Sequence, residues 1–342
     1  MNQSDLEKTK GKHKIGWVEI SSKKYGGFIY RQQARDALSK DFDVELVSCE
    51  ARYLKKFKYF KLIESAFKIF LLKEKKDIWI RDYFPAVLSP FKKVNGKNVI
   101  MVHHIDISGL PLISRPVFYI LTKIFYHNLK KADAIITRAE IWQKHFLDRG
   151  YKNVYKIYGA SNLEKFNIPD KDVTKFKKEN GLEGKPIIYI GNCQRAKGVI
   201  QTYGALKDLD AYFITTGQKD VEIPAKHFNL SHEDYLRLLK ASSVVVTMSQ
   251  FKEGWCRTAH EAMLCKTPVI GSGAGGMREL LEGGRQIICT DFKQLKEKVE
   301  SLLKNPEERN ALGEKGYSFV KDFNIERFNK EWIETISKIL KS

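Results

Sequence analysis

Apolar and polar positions alternate along this chain in two successive waves. In the first wave, Ile15–Ile20, Val44–Ser48, Asp77–Ile80, Val99–Val102 and Ala134–Thr137 read as strands, with helices over residues 28–39, 54–75 and 115–130. The second wave starts at Pro186–Ile190 and continues through Ala211–Thr215, residues 243–248 and residues 267–270. Strands that alternate with amphipathic helices predict parallel, doubly wound sheets. The polar stretch PDKDVTKFKKENGLEGK, residues 169–185, separates the waves and reads as a linker. A last helix, Ile325–Leu340, spaces Phe, Trp, Ile and Leu on a helical period. Open parallel sheets bind ligands at the carboxyl ends of their strands, so two such domains facing one another make a cleft.

The most informative segment is FKEGWCRTAHEAMLCKTPVIGSGAGGMRELL, residues 251–281. It follows an apolar strand, holds Glu253 in a loop and Glu261 within a helix, and ends in a glycine turn leading to Glu279. Free N–H groups at a helix start face anionic oxygens, and carboxylates accept hydrogen bonds from sugar or ribose hydroxyls. This equipment suits a nucleotide-sugar.

The segment resembles the donor site of family-4 retaining glycosyltransferases of the GT-B type. Glu253 and Glu261 keep that family's E-x7-E spacing, EAMLCKTPVI stands where EAMACGTPVV is usual, and GAGGMRELL matches the GG-x-x-E turn. The resemblance extends more loosely from about Lys14 to about Leu340. It implies an α/β GT-B fold of two Rossmann-like domains facing a cleft. Residues 1–165 would form the acceptor side, residues 166–324 the nucleotide-sugar side, and helix 325–342 would pack back onto the first domain.

The resemblance also assigns roles. In GNCQRAKG, residues 191–198, Lys197 takes the lysine slot over the donor diphosphate, while Asn192 stands where Arg is usual and Arg195 is the substitute cation. Glu253 would touch the donor sugar and Glu261 the ribose. Gly254, Trp255 and Cys256 would offer amides to the phosphates, with Gly275 and Gly276 beside them. Gly26 and Gly27 open the helix after the first strand and resemble the family's N-terminal GG loop, where the backbone approaches the diphosphate. His103 and His104 end a buried strand, and one of them would reach the donor sugar; neighbours on a strand point to opposite faces. YGASNLEKF, residues 158–166, resembles the family's domain-boundary loop too loosely to assign a residue. No side chain is an evident strong nucleophile. The implied chemistry is same-face substitution with retained configuration, in which the departing phosphate helps deprotonate the acceptor. No cofactor or metal is called for. Asp41-Phe42-Asp43 spells D-x-D but lies at a strand's amino end, away from the cleft.

Composition narrows the partners. The formal charge is +19, and residues 1–165 hold 32 Lys and Arg against 17 Asp and Glu. A field of that sign implies an acidic partner: an anionic lipid surface, an anionic glycan or nucleic acid. No nucleic-acid motif stands out. The stretch YLKKFKYFKLIESAFKIFLLKEKK carries Phe60, Ile63, Phe67, Phe70 and Leu71 on one stripe with Lys58, Lys61 and Lys68 around it. It reads equally as a core helix and as a helix resting on an anionic membrane. Five scattered cysteines without a CxxC pair predict a reducing compartment. No apolar run approaches the roughly 18 residues of a membrane span, and the amino terminus lacks a secretory h-region, so the expected location is cytoplasmic, peripheral at most on the membrane. The expected partners are a nucleotide-sugar donor and a glycan or lipid-linked acceptor. Alternatives are a sugar-nucleotide epimerase of the same architecture, a glycosyltransferase acting on DNA, and a catalytically silent scaffold.

Overall fold

The computed structural model describes residues 11–20, 26–54, 60–89 and 95–342. β1 (Lys14–Glu19), β2 (Asp43–Ser48), β3 (Ile78–Arg81), β4 (Lys97–Val102), β5 (Ala134–Thr137) and β6 (Val154–Lys156) form a parallel sheet in the order β2-β1-β3-β4-β5-β6. β7 (Ile187–Asn192), β8 (Tyr212–Thr216), β9 (Lys226–Phe228), β10 (Val244–Thr247), β11 (Val269–Gly271) and β12 (Ile287–Ile288) form a second, ordered β12-β11-β10-β7-β8-β9. Both are α/β sheets in which strand order reverses beside the first strand, at β1/β3 and at β7/β10. That reversal opens a crevice at the carboxyl ends. The two-domain GT-B architecture expected from the sequence is the one observed.

Central strands are buried on both faces, as their Val- and Ile-rich composition requires. Right-handed crossovers then decide which helices share a layer. The step from β1 to β2 places helix Gly26–Leu38 on one face of the first sheet. Every later step in that sheet runs the other way, so helices Phe60–Phe70, Tyr83–Leu88, Arg115–Leu129 and Glu140–Leu147 lie on the opposite face. The terminal helix Ile325–Lys341 crosses back and buries Phe328, Trp332, Ile336 and Ile339 in the first domain's core with Trp17 and Tyr30.

Several elements differ from the sequence reading. Residues 169–185 are not a plain linker: Asp170–Glu179 is a helix that buries Phe176 in the second domain's core. Its polar composition conceals a single-anchor amphipathic helix. The chain passes between the domains earlier, around Ile157–Ala160, since Ile157 packs in the first core and Leu163, Phe166 and Ile168 pack against the second. The helix expected over residues 54–75 ends at Phe70, and Leu54 is in a bend; residues 55–59, with Lys58, lie outside the described residues. Its apolar stripe does not enter the core. Phe60, Ile63, Phe67, Phe70 and Leu71 are exposed, and the buried positions are Ser65 and Ile69. β6, β9 and β12 were not foreseen, being edge strands too short to show a period. Asp43 of the D-x-D opens β2 beside Lys14, at the amino end of the sheet.

Candidate active site

The site is assembled from the loops that leave the carboxyl ends of β4, β5, β7 and β10. After β7 the chain makes a tight turn, Arg195–Lys197, and enters helix Val199–Leu206 through Gly198. Gly198 has φ +70°, and a Cβ there would stand 2.3 Å from the Met248 carbonyl. Glycine therefore lets this turn press on the end of β10. The Gln250 amide donates to the Ala196 carbonyl at 2.9 Å and ties the loop after β10 to the same turn.

This packing brings Lys197 to Glu253. The Lys197 Nζ lies 2.8 Å from Glu253 Oε1, with Glu253 7% exposed. The buried Ser249 hydroxyl donates to the same oxygen, and the Lys197 ammonium also lies over the Phe251 ring at 4.9 Å. Burial alone would raise the Glu253 carboxyl, but the Lys197 charge, its hydrogen bond, the Ser249 hydroxyl and His104 outweigh it and hold the group below the ordinary glutamate value. Burial likewise works against the Lys197 charge, and Glu253 overcomes it, so the amine titrates above its usual value. The two are a matched pair of opposite charges within one wall.

Glu261 forms its own cluster on helix Arg257–Leu264. Its Oε1 accepts from Arg257 Nε at 2.7 Å and faces His232 Nε2 at 3.3 Å, and the residue is 2% exposed. Burial opposes its ionisation, and Arg257 and His232 more than offset this, leaving the carboxyl below its usual value. The amides of Gly254, Trp255 and Cys256, which lead into this helix, make no hydrogen bond among the described residues. The Trp255 ring is packed at 4.7 Å from Tyr158 and 5.3 Å from Phe323. Burial pushes the Cys256 thiol up to about 12, which keeps it a neutral core group.

The glycines of the later turn act on the loop backbone. Gly275 has φ +70° and pairs with Glu253, and the Gly276 amide donates to the Glu253 carbonyl at 2.9 Å. A Cβ at Gly276 would lie 1.8 Å from the Gly254 carbonyl and 2.5 Å from Ala139 Cβ of the first domain. The Gly276 amide is thus used inside the protein and is not free for a phosphate. Gly254 in turn packs on the His103 carbonyl, 2.1 Å from where its Cβ would be. The domains meet here backbone to backbone.

His103 and His104 part at this seam. His104 lies against Phe251 with ring centroids 5.2 Å apart and feels the Glu253, Lys197 and Asp106 charges; burial lowers it below the usual histidine value. His103 turns to Arg138, whose Nη1 is 3.3 Å from His103 Nδ1, and it is held well below the usual value by burial and then by Arg138. Both are neutral near pH 7. Asn192 does not turn toward Lys197: its Oδ1 accepts from the Tyr189 and Thr216 hydroxyls, both at 3.2 Å. Arg195 is exposed on the turn. Gly26 and Gly27 begin helix Gly26–Leu38, and the loop before them, residues 21–25, lies outside the described residues.

The structure adds contacts to which the sequence reading gave no role. Asp106 accepts from the Lys252 amide at 2.6 Å, and Trp142 Nε1 donates to the Glu253 carbonyl at 3.0 Å, so the first domain grips the Glu253 loop from two sides. Glu279 accepts from the amides of Glu140 and Ile141, both at 2.9 Å. Arg31 joins Glu19 at 3.1 Å and Asp82 at 2.8 Å near the β1/β3 switch point. Burial lifts the Asp82 carboxyl to about 6 against the pull of Arg31. Asp106 carried a sequence signal by its place after the two histidines and Glu279 by closing the GG-x-x-E turn; Trp142, Arg31 and Asp82 carried none. Among the described residues no cluster of three His, Cys, Asp or Glu could hold a metal ion.

Comparison with known proteins bears on the family and the fold. Residues 225–319, which contain Glu253 and Glu261, match the family described as Glycosyl transferases group 1. The chain is 28% identical over 230 residues to an uncharacterised glycosyltransferase of Methanocaldococcus jannaschii, covering 58% of this chain and 64% of that protein. It is 31% identical over 169 residues to spore coat protein SA of Bacillus subtilis, covering 41% and 45%. The matches thus span less than two thirds of either curated relative. Among solved structures, sucrose-phosphate synthase from Thermosynechococcus elongatus superposes with a TM-score of 0.81 at 17% identity, covering 96% of this chain and 99% of that one. Anabaena HepE in complex with UDP-glucose does so with a TM-score of 0.75 at 18% identity, covering 95% and 100%. Residues 225–319 are therefore a glycosyl transferases group 1 domain, set within a GT-B fold.

Proposed function

We propose that the protein transfers a sugar from a nucleoside-diphosphate-sugar to an acceptor with the anomeric configuration retained. The observation that carries this reading is the meeting of Lys197 and Glu253 at 2.8 Å at the carboxyl ends of β7 and β10, where the strand order reverses. On this reading the donor diphosphate lies against Lys197 and the free amides of residues 254–256. These groups stabilise charge as it develops on the leaving phosphate. Glu253 orients the sugar hydroxyls and Glu261 the ribose. The neutral His104 offers a donor or acceptor to the sugar without adding charge. The buried thiol of Cys256 and the ion-paired Glu253 are poor nucleophiles, which favours same-face substitution with the departing phosphate taking the acceptor proton. Lys197 and the helix start supply the positive charge, so the reading takes no metal. Solved relatives with UDP-glucose, and with UDP and glucose, support a nucleotide-sugar donor.

The acceptor side favours a glycan or lipid-linked acceptor of the cell envelope, reached at an anionic membrane surface. Helix Phe60–Phe70 and the segment Leu112–Leu129 lie on one face of the first sheet, on either side of helix Tyr83–Leu88. They expose Phe60, Ile63, Phe67, Ile113, Tyr119 and Ile120, among others, with Lys61, Lys73 and Lys123 exposed around them. An apolar face ringed by lysines suits anionic lipid. No helix among the described residues is long and apolar enough to cross a membrane.

A thermal-shift screen of nucleotide-sugars identifies the donor, because a ligand that binds only the folded state raises the melting temperature. With that donor, Glu253→Ala is expected to lose turnover and keep its fold, product analysis is expected to show retained configuration, and EDTA is expected to leave the rate unchanged. Conversion of donor to an altered nucleotide-sugar without any acceptor would replace this reading with epimerisation.

A further inference from the structure

Arg138 is a buried cation beside the site to which the reading above gives no role. It follows β5, is 7% exposed, and has no Asp or Glu within ion-pair distance among the described residues. Its guanidinium lies over the Tyr30 ring at 4.3 Å and donates to the neutral His103 at 3.3 Å, and its Nε has no hydrogen-bond partner. Arg31, by contrast, has both Glu19 and Asp82, and Arg81, buried without a carboxylate among the described residues as well, donates to the Asn98 side-chain oxygen at 2.6 Å and does not line this gap. A guanidinium removed from water without a counter-ion is costly. The cost shows as a lowering of Arg138 to about 10, caused by burial. A second guanidinium stands nearby. Arg257, on the other domain, lines the same narrow gap together with Tyr30, Gln33, Gly159 and Trp255, and its charge adds to the strain on Arg138. Gly159 is what lets the gap exist, since a Cβ there would lie 2.7 Å from Trp255 and 3.2 Å from the Arg138 guanidinium.

We propose that Arg138, with Arg257 facing it from the second domain, is a binding site for an oxyanion group of a substrate, a phosphate or a carboxylate. The planar fork of Arg138 suits a two-point contact with such a group, and the unpartnered Nε supplies one of the two donors. An anion bound between arginines of different domains also draws the domains together over the Lys197–Glu253 pair. Glycosyl transfer enters only in naming the source of the anion, which is the donor diphosphate or an acidic acceptor. If it is the diphosphate, Arg138 stands in for the cation that Asn192 does not provide.

The test titrates full-length wild type, Arg138→Met and Lys197→Ala with inorganic phosphate and, separately, with UDP, GDP and ADP. Phosphate is expected to bind Arg138→Met at least tenfold more weakly than wild type, and more weakly than it binds Lys197→Ala. Methionine keeps apolar bulk and removes a charge that has no counter-ion, so free Arg138→Met is expected to melt no lower than wild type. Should that variant not fold, Arg138→Lys, which keeps the charge and loses the fork, takes its place, with weaker phosphate binding again expected. Phosphate affinity that is equal in the variant and wild type, or no phosphate binding by wild type, overturns the proposal. The nucleotides assign the source. A tenfold loss of nucleoside diphosphate affinity in Arg138→Met gives the anion to the donor, and unchanged affinity gives it to the acceptor. Phosphate held at Arg138 by a protein that binds no nucleoside diphosphate keeps the site and removes the glycosyltransfer reading.

Discussion

The two domains share an architecture and differ in what they leave uncovered. All the exposed large apolar side chains among the described residues lie between Leu46 and Leu147, in the first domain. The second domain's amphipathic helices are fully spent on its core: His232–Ala241 buries Leu236, Leu238 and Leu239, and Leu295–Lys304 buries Leu295, Val299 and Leu302. Charge divides the same way, with 32 Lys and Arg against 17 Asp and Glu up to residue 165 and 28 against 24 beyond it. One doubly wound sheet is thus closed around its own core with its buried charges paired. The other carries apolar side chains and positive charge outward. A shared doubly wound architecture, with the strand orders differing only beside the first strand, does not dictate identical surfaces; the outer faces of the crossover helices do. On the proposed reading, the second domain holds the chemistry and the first meets a surface.

The largest expected effect separates those two jobs. Lys197→Ala should lower kcat by about a hundredfold or more, the scale seen when one preorganised charge-stabilising group is removed. Its binding to anionic vesicles should be unchanged. Phe67→Asp combined with Ile113→Asp should do the opposite. Both side chains are exposed, so the fold survives, while co-sedimentation with vesicles containing anionic lipid should fall at least tenfold. Turnover of a water-soluble acceptor should stay at the wild-type rate. A vesicle affinity that follows Lys197, or ignores Phe67 and Ile113, breaks the division of labour.

A smaller effect tests how the two halves are fitted. Gly276→Ala places a methyl group 1.8 Å from the Gly254 carbonyl and 2.5 Å from Ala139 across the seam. Its φ of −65° suits alanine, so any damage is steric. Overpacking of this kind costs about 1–3 kcal/mol. Because the push falls on the Glu253 loop, turnover should drop together with the melting temperature. A fully active Gly276→Ala would mean that the Glu253 loop yields to the methyl group without disturbing the site, and would break the steric account of the seam.

The halves were unequally legible in the sequence. Both sheets followed from apolar period, because their central strands are buried on two faces and read as continuous runs. Lys197 and Glu253, 56 positions apart, were paired through a motif and not through any local signal. The failures share a cause, which is that the deciding partner is remote or outside. Asp170–Glu179 looked like linker because one aromatic, Phe176, anchors it. The stripe on Phe60–Phe70 has core periodicity and no core to meet. Arg138 is unremarkable in ITRAE, and only the three-dimensional gap it shares with Arg257, with no carboxylate of its own, singles it out.

Helix Glu140–Leu147 went unseen for the same reason, and it supplies the finest test. Its N-cap residue is Ala139, which has no oxygen to offer the first amides. The cap comes instead from Glu279 of the other domain, whose carboxylate accepts from the Glu140 and Ile141 amides at 2.9 Å and from the Tyr158 hydroxyl at 3.2 Å. A carboxylate at a helix start also meets the positive end of the helix dipole. Glu279→Ala should therefore cost about 1 kcal/mol, as loss of an ordinary N-cap does. The loss differs from an ordinary one in where it appears. Trp142, on the same helix, donates to the Glu253 carbonyl, so loosening the helix loosens the seam over the site. Hydrogen exchange should rise in residues 140–147 and 251–256 together, while the second domain's core amides keep their protection. Exchange that rises in the helix alone would make Glu279 a cap and nothing more, and would leave Asp106 and the glycine contacts to hold the two domains in register.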